Sequence, residues 1–227
     1  MLPNYKKIMT RILVFDTETT GLPKSRFSSP ENTSEWPHIV QLSYLIYNTV
    51  LTKVEKVVDH IIRVPDGVSI NEKCVSLHGI SKERSLLEGI PIESCLSEFL
   101  NDFQTVDLVV AHNMEFDLNM IQAEMWRRKD FYEEMIPIIN QSNKLFCTMQ
   151  EGTDLCRIKS LFNNSKDPYK FPNLAELHQY LFSTLPINLH NSLNDVLVCL
   201  RCYYKMKYHK DITSESSEIV TLMKIVL

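Results

Sequence analysis

The spacing of apolar positions changes along the chain, and each change predicts an element. Arg11 to Asp16 ("RILVFD") is almost continuously apolar, as a strand buried on both faces would be, which makes it a central strand. Residues 21–37 ("GLPKSRFSSPENTSEWP") are rich in Pro, Ser and Asn and read as a loop, long enough to be a binding loop beside whatever the neighbouring acids do. Residues 38–48 ("HIVQLSYLIYN") and 53–64 ("KVEKVVDHIIRV") alternate apolar with polar, predicting two strands joined as a hairpin, with Val40, Leu42, Tyr44 and Ile46 on one face.

The period then lengthens. Residues 70–80 and 81–90 predict short helices, with Ser81 as an N-cap and Gly79 and Gly89 as stops. A longer helix runs from Pro91 to about Gln104. "VDLVVAHN" (106–113) is a strand, and "EFDLNMIQAEMWRRK" (115–129) a helix with Phe116, Met120, Ile121 and Met125 on its apolar side. "KLFCTM" (144–149) predicts the last strand, followed by helices around 153–158, 173–182 and 192–207. Three strands followed by alternating helices and strands imply an α/β fold with a mixed sheet flanked by helices. The tail after Tyr208 is polar and then apolar; docking as a helix, docking as a strand and pairing with another chain all fit it.

Composition narrows the setting. With 227 residues, 44% of them hydrophobic, the expectation is a single domain with one sizeable core. A formal net charge of -4 supplies no global basic field, although clusters such as Arg127, Arg128, Lys129 and Lys205, Lys207, Lys210 could meet phosphates. Six cysteines scattered through apolar runs fit a reducing compartment rather than a disulfide scaffold. Cys199 and Cys202 form a C-x-x-C without the second pair that a zinc site needs, so they are expected in the core. The apolar run Ile12–Phe15 is too short for a signal peptide or a membrane span. The expected protein is soluble and intracellular, in the cytoplasm or the nucleus, with no membrane partner.

Candidate chemistry begins at "FDTETTGL". In an extended chain Asp16 and Glu18 point to the same face. Two carboxylates about 5 Å apart repel by roughly 3 kcal/mol at an effective dielectric near 20. A shared proton or a bound divalent cation would offset this. The D-T/S-G sequences of a shared-proton protease are missing, which favours metal. Further oxygen ligands should lie at the ends of neighbouring elements. Asp117, in "AHNMEFDLNMI", sits where a strand gives way to a helix, where the helix dipole stabilises its ionised form. Asp195, in "LHNSLNDVLVCL", also fits a capping box with Ser192. His190 and Asp195 would stand about 140° apart on one helix, so they can share a site only if His190 lies in the loop before it.

D-x-E closing an apolar strand, N-x-x-F-D at a strand–helix junction and H-x-x-x-x-D opening a late helix occur here in that order. Together with "VSLHGISKE", "VVAHNMEFD" and "FPNLAELHQYLF" they resemble the DEDD superfamily of 3'-5' exonucleases, in its histidine-bearing branch. The proofreading epsilon subunit of bacterial DNA polymerase III, the TREX exonucleases and ribonuclease T belong to that branch. The resemblance spans about residues 11–206 of a single 1–227 domain, leaving 207–227 as a C-terminal tail.

The resemblance implies a ribonuclease H-like exonuclease fold, with a five-stranded mixed sheet flanked by helices on both faces. Asp16, Glu18 and Asp195 would hold one magnesium or manganese ion, Asp16 would be shared with a second, and Asp117 would bind through water. His190 would be the general base. Leu22 and Ile80 would wedge the terminal base, backbone near Thr19 and Gly21 would bind the last nucleotide, and Asn113 would lie close to the sugar-phosphate. Ile80 is equally well read as a core residue. Trp36 matches a position that packs beside the site.

The implied partner is nucleic acid with a free 3' end, with a polymerase or repair protein as a further partner. DNA, single-stranded or frayed, is favoured, and RNA is the alternative. A non-catalytic end-binding module would have no use for all five active residues. An acid-pair glycosidase would leave Asp117 and Asp195 without a reason.

Overall fold

The computed structural model describes residues 10–25, 27–140, 142–160 and 168–226. Five strands, β1 (Arg11–Thr19), β2 (Ile39–Asn48), β3 (Lys53–Ile61), β4 (Leu108–Ala111) and β5 (Leu145–Cys147), form one sheet in the order β3-β2-β1-β4-β5. β1 is antiparallel to β2, and β2 to β3, whereas β1 is parallel to β4 and β4 to β5. This is the expected five-stranded mixed sheet, and β1 is its central strand.

Ten α-helices surround it among the described residues: α1 (Glu72–His78), α2 (Lys82–Glu88), α3 (Ile92–Thr105), α4 (Met114–Trp126), α5 (Lys129–Tyr132), α6 (Met135–Asn140), α7 (Thr148–Cys156), α8 (Leu174–Phe182), α9 (Ser192–Tyr208) and α10 (Ser217–Met223). The alternation of β1 divides the core. Leu13 and Phe15 pack with Leu42, Tyr44 and Ile46 under α3 and α4. Ile12 and Val14 pack with Leu45 and Tyr47 under α9 and α10. Both faces are covered, so β2 is buried along its whole length despite its alternating sequence, and only edge strand β3 alternates in exposure.

Several expectations shift in detail. β1 runs on to Thr19, which puts both acids inside the strand. The predicted strand 106–113 shortens to β4 because Asn113 adopts a left-handed conformation (φ 68°) and starts α4. The predicted strand 144–149 divides at Thr148, where α7 begins. α5 and α6 were not foreseen. Both glycine stops end helices, for different reasons. Gly79 has φ 72°, whereas a Cβ on Gly89 would lie 2.2 Å from the Ser85 carbonyl oxygen. Cys199 and Cys202 are buried core residues.

The C-terminal tail docks as a helix. Ile219, Met223 and Val226 join the core under α9, and Glu218 accepts the Val54 N–H of β3 at 2.8 Å. No helix among the described residues is long and apolar enough to cross a membrane.

Candidate active site

The site forms where β1 and β4 part. They pair only from Ile12 with Leu108 to Val14 with Val110, which frees the β1 edge beyond Val14. α4 follows β4 and inserts Asp117 there. The Asp117 Oδ1 accepts the Thr17 backbone N–H at 3.0 Å and the Thr17 hydroxyl at 2.7 Å. Asp117 is thereby anchored to the residue between Asp16 and Glu18.

α9 approaches β1 through its first turn. Asn191, not Ser192, is the N-cap, and its side chain accepts the Asn194 N–H. The expected Ser192–Asp195 capping box is therefore not formed. The Ser192 hydroxyl instead donates to the Asp16 backbone carbonyl at 2.6 Å, and its N–H donates to Gln41 Oε1 at 3.3 Å. Docking onto β1 and β2 supplies a partner that an isolated helix lacks. His190 precedes the helix with φ 68°, in the loop as the shared site requires, and its N–H donates to Asp195 Oδ2 at 3.2 Å.

Ligand atoms of Glu18, His190 and Asp195 lie within 4.8 Å of one another. Asp16 and Asp117 stand outside that trio, but Asp117 acts on Glu18, and Asp16 feels Glu18 and Asp195. Burial first, and then Asp117, Asp195 and Glu18, push the Asp16 carboxyl well above its ordinary range. Glu18 is raised to about 8 by burial, Asp195 and Asp117. Burial raises Asp117 to about 7 against the pull of the Thr17 hydrogen bonds. Asp195 also rises to about 7 through burial, opposed by the His190 N–H.

No lysine or arginine forms an ion pair with any of these four acids among the described residues. Asp195 Oδ1 is buried without a hydrogen-bond partner. Hard oxygen donors, mutual repulsion and an unsatisfied carboxylate oxygen fit a divalent cation.

The expected substrate residues divide. Leu22 is exposed (81%) on the loop after β1, and the space around the Gly21 Cα is open. Thr19 is buried and donates its hydroxyl to the Gly21 carbonyl, shaping that turn. Asn113 makes no side-chain cap on α4, and its side chain lines a neighbouring cavity. Ile80 is 1% exposed and packs with Val40 and Val64, so it presents no surface for a base to stack on. Its place is the core, because the turn after α1 folds its side chain against β2. Trp36 is buried beside the cavity.

Below the loop, the buried Glu124 of α4 accepts hydrogen bonds from Arg127 (2.9 Å), Arg128 (2.7 Å) and the Ile39 N–H (3.3 Å), and lies 3.1 Å from His38 Nδ1. Arg127 also donates to the Thr33 and Trp36 carbonyls, tying the loop to the helix that carries Asp117. Sequence reasoning missed the supporting roles of Thr17, Gln41 and Glu124. Only Thr17, lying between two acids, carried a local signal.

A family model described as "Exonuclease" (RNase_T) matches residues 13–203. The chain belongs to the exonuclease family. This is the DEDD superfamily that its motifs resemble. None of the curated proteins matches this chain by sequence.

Among solved structures, Escherichia coli exonuclease I in complex with a dT13 oligonucleotide superposes with a TM-score of 0.62 at 15% identity, covering 88% of this chain and 42% of that one. A product-bound exonuclease I gives 0.63 at 13%, covering 91% and 46%. Exonuclease I from Methylocaldum szegediense gives 0.59 at 13%, covering 90% and 42%. The shared feature is the ribonuclease H-like fold. The chain spans less than half the length of these exonuclease I chains.

Proposed function

We propose that residues 1–227 form a single domain that removes nucleotides one at a time from the 3' end of a nucleic acid. The products are nucleoside 5'-monophosphates and the favoured substrate is single-stranded or frayed DNA. The observation that carries this reading is the convergence of four carboxylates, with burial raising the pKa of each and an orphaned oxygen on Asp195. Such a group is stable at neutral pH only with protons or cations, and the family's reaction calls for cations.

Asp16, Glu18, Asp117 and Asp195 would hold two magnesium or manganese ions. When bound, these ions would supply positive charge to the phosphate and its entering and leaving oxygens. His190, exposed on the loop before α9 and within 4.8 Å of Glu18 and Asp195 oxygens, accepts the proton of the attacking water. Its left-handed backbone and its N–H bond to Asp195 fix the ring's approach. Thr17 holds Asp117, and Ser192 holds α9 against Asp16. The open turn at Gly21 and the exposed Leu22 receive the terminal nucleotide, with Asn113 near its sugar-phosphate. Support for DNA comes from the fold neighbours in complex with dT13 and dA16 oligonucleotides.

The test is an oligonucleotide labelled at its 5' end, supplied as DNA and as RNA, with magnesium, manganese or chelator. A ladder of 3'-shortened DNA is expected with metal, and none from Asp16→Ala. Shortening from the 5' end, or cleavage that persists in chelator, would refute the mechanism. Preferential shortening of RNA would replace DNA as the substrate.

A further inference from the structure

The face of the sheet that carries Asp16 and Glu18 changes character along β1. Ile12 and Val14, with Tyr47 and Leu45 opposite them, pack under α9. The next rungs are polar. Asp16 stands opposite Ser43, Ser43 stands opposite Asp59, and Glu18 stands opposite Gln41. Residues paired directly across strands share a face, so Asp59 of β3 extends the row of acids to the edge of the sheet.

Hydrogen bonds run along that row. Gln41 Nε2 donates to Asp59 Oδ1 at 2.7 Å, and the Ser43 hydroxyl donates to the same oxygen at 2.7 Å. At the other end of the amide, Gln41 Oε1 accepts the Ser192 N–H, and the Ser192 hydroxyl donates to the Asp16 carbonyl. Gln41, Ser43 and Ser192 are buried, so water is a poor substitute for these partners. Ser192 opens α9, and its N–H is one of the first-turn donors that a helix cannot satisfy internally. Asn191 caps the Asn194 N–H, which leaves that of Ser192 to Gln41.

A glutamine amide has a donor end and an acceptor end of nearly the same shape, and its partners decide which way it faces. A carboxylate only accepts, so Asp59 selects the orientation with Nε2 toward the edge and Oε1 toward α9. A reversed amide would set its NH2 group against the Ser192 N–H, donor against donor. The turn so disturbed carries Asp195, and the loop just before it carries His190.

We propose that Asp59 is a positioning residue of the nuclease site: through Gln41 it seats the first turn of α9, so that Asp195 and His190 meet Glu18 within 4.8 Å. This rests on the exonuclease reading above. Partners that orient metal ligands from outside are worth about 10- to 100-fold in metal affinity, which sets the scale of the effect.

The test compares Asp59→Ala, which removes the acceptor, with Asp59→Asn, which keeps a carbonyl in its place, and with Gln41→Leu, which breaks the relay at its middle and fills the buried space. Asp59 is exposed on an edge strand, so Asp59→Ala leaves the core intact; should it not fold, Gln41→Leu carries the same expectation. Manganese is titrated into each protein by calorimetry, and exchange of the Ser192 amide proton is followed by NMR in chelator. Asp59→Ala should weaken manganese binding about 10-fold and speed Ser192 exchange about 10-fold, as loss of one buried hydrogen bond does. Asp59→Asn should stay within about 2-fold of wild type in both, since its carbonyl still accepts from Gln41. The Gln41→Leu/Asp59→Ala double variant should bind manganese no more weakly than Gln41→Leu alone, because both changes cut one chain of contacts. Unchanged manganese affinity in Asp59→Ala, an equal loss in Asp59→Asn, or additive losses in the double variant overturn the proposal. A role in stability alone is told apart, because it lowers Tm without moving manganese affinity. A wild type that binds manganese but leaves a 5'-labelled oligonucleotide uncut sinks the exonuclease reading while the relay stands, and one that binds no manganese overturns both.

Discussion

Replacing Glu18 by glutamine should change how stability responds to pH when divalent cations are removed. With a folded pKa of about 8 against an ordinary 4.5, Glu18 keeps its proton in the native state where the unfolded chain has lost it. That protonation stabilises the fold, and the benefit disappears as pH rises through the folded value. Between pH 7 and pH 9 it falls by about 1.4 kcal/mol, or roughly 3–6 °C in Tm for a chain of this size.

Asp16, Asp117 and Asp195 are also raised and act with the same sign. His78, His112 and His178 are depressed by burial, with the opposite sign, but they act below their ordinary value of 6.5 and so outside this window. Burial also raises the thiols of Cys95, Cys199 and Cys202, which are common to both proteins and cancel in the comparison. In chelator, thermal melts of wild type should therefore fall more steeply from pH 7 to 9 than those of Glu18→Gln. The variant should be the more stable of the two at pH 9. Magnesium at about 100 times its dissociation constant should restore roughly 2.7 kcal/mol to wild type, and less to the variant. Equal pH slopes in chelator, or no response to magnesium, would refute the account of the acid cluster.

Three further outcomes are expected. His190→Ala should lower the cleavage rate by about 10² to 10⁴ while keeping the magnesium-induced rise in Tm; losing that rise would make His190 a ligand rather than the base. Ser192→Ala removes the 2.6 Å bond to the Asp16 carbonyl and should cost about 1 kcal/mol in urea denaturation, and an unchanged midpoint would deny it a role in seating α9. Glu124→Ala leaves Arg127 and Arg128 beside an emptied buried site and should cost about 3–5 kcal/mol, with proteolysis of the 21–37 loop as a second readout; a protected loop would mean that it is held by other contacts.

Much of the site was legible because its elements announce themselves locally. A continuous apolar run ending in Asp16 and Glu18 reads as a buried strand carrying two acids on one face. That His190 must lie outside α9 if it is to share a site with Asp195 followed from helical geometry, and α9 does begin after it. Ser192 was misread for an equally local reason. S-x-x-D before an apolar run satisfies the capping pattern, and nothing in the sequence reveals that the Asp16 carbonyl, 176 residues away, offers its hydroxyl a buried partner. Ile80 shows the complementary limit. An apolar residue after a glycine suits either a wedge or a core position, and its neighbours Val40 and Val64 decide for the core.

The sequence by itself determined which residues carry charge, the succession of five strands along the chain, and that Asp16 and Glu18 share a face, because backbone period and burial cost act over a few residues. Only the tertiary structure decided that Asp117 reaches Thr17 across 100 residues, that Gln41 joins Asp59 to Ser192, and that the tail packs as α10. Those meetings depend on strand order. The parting of β1 from β4 opens the gap that Asp117 fills, and pairing between distant segments is a property of the whole sheet rather than of any stretch of it.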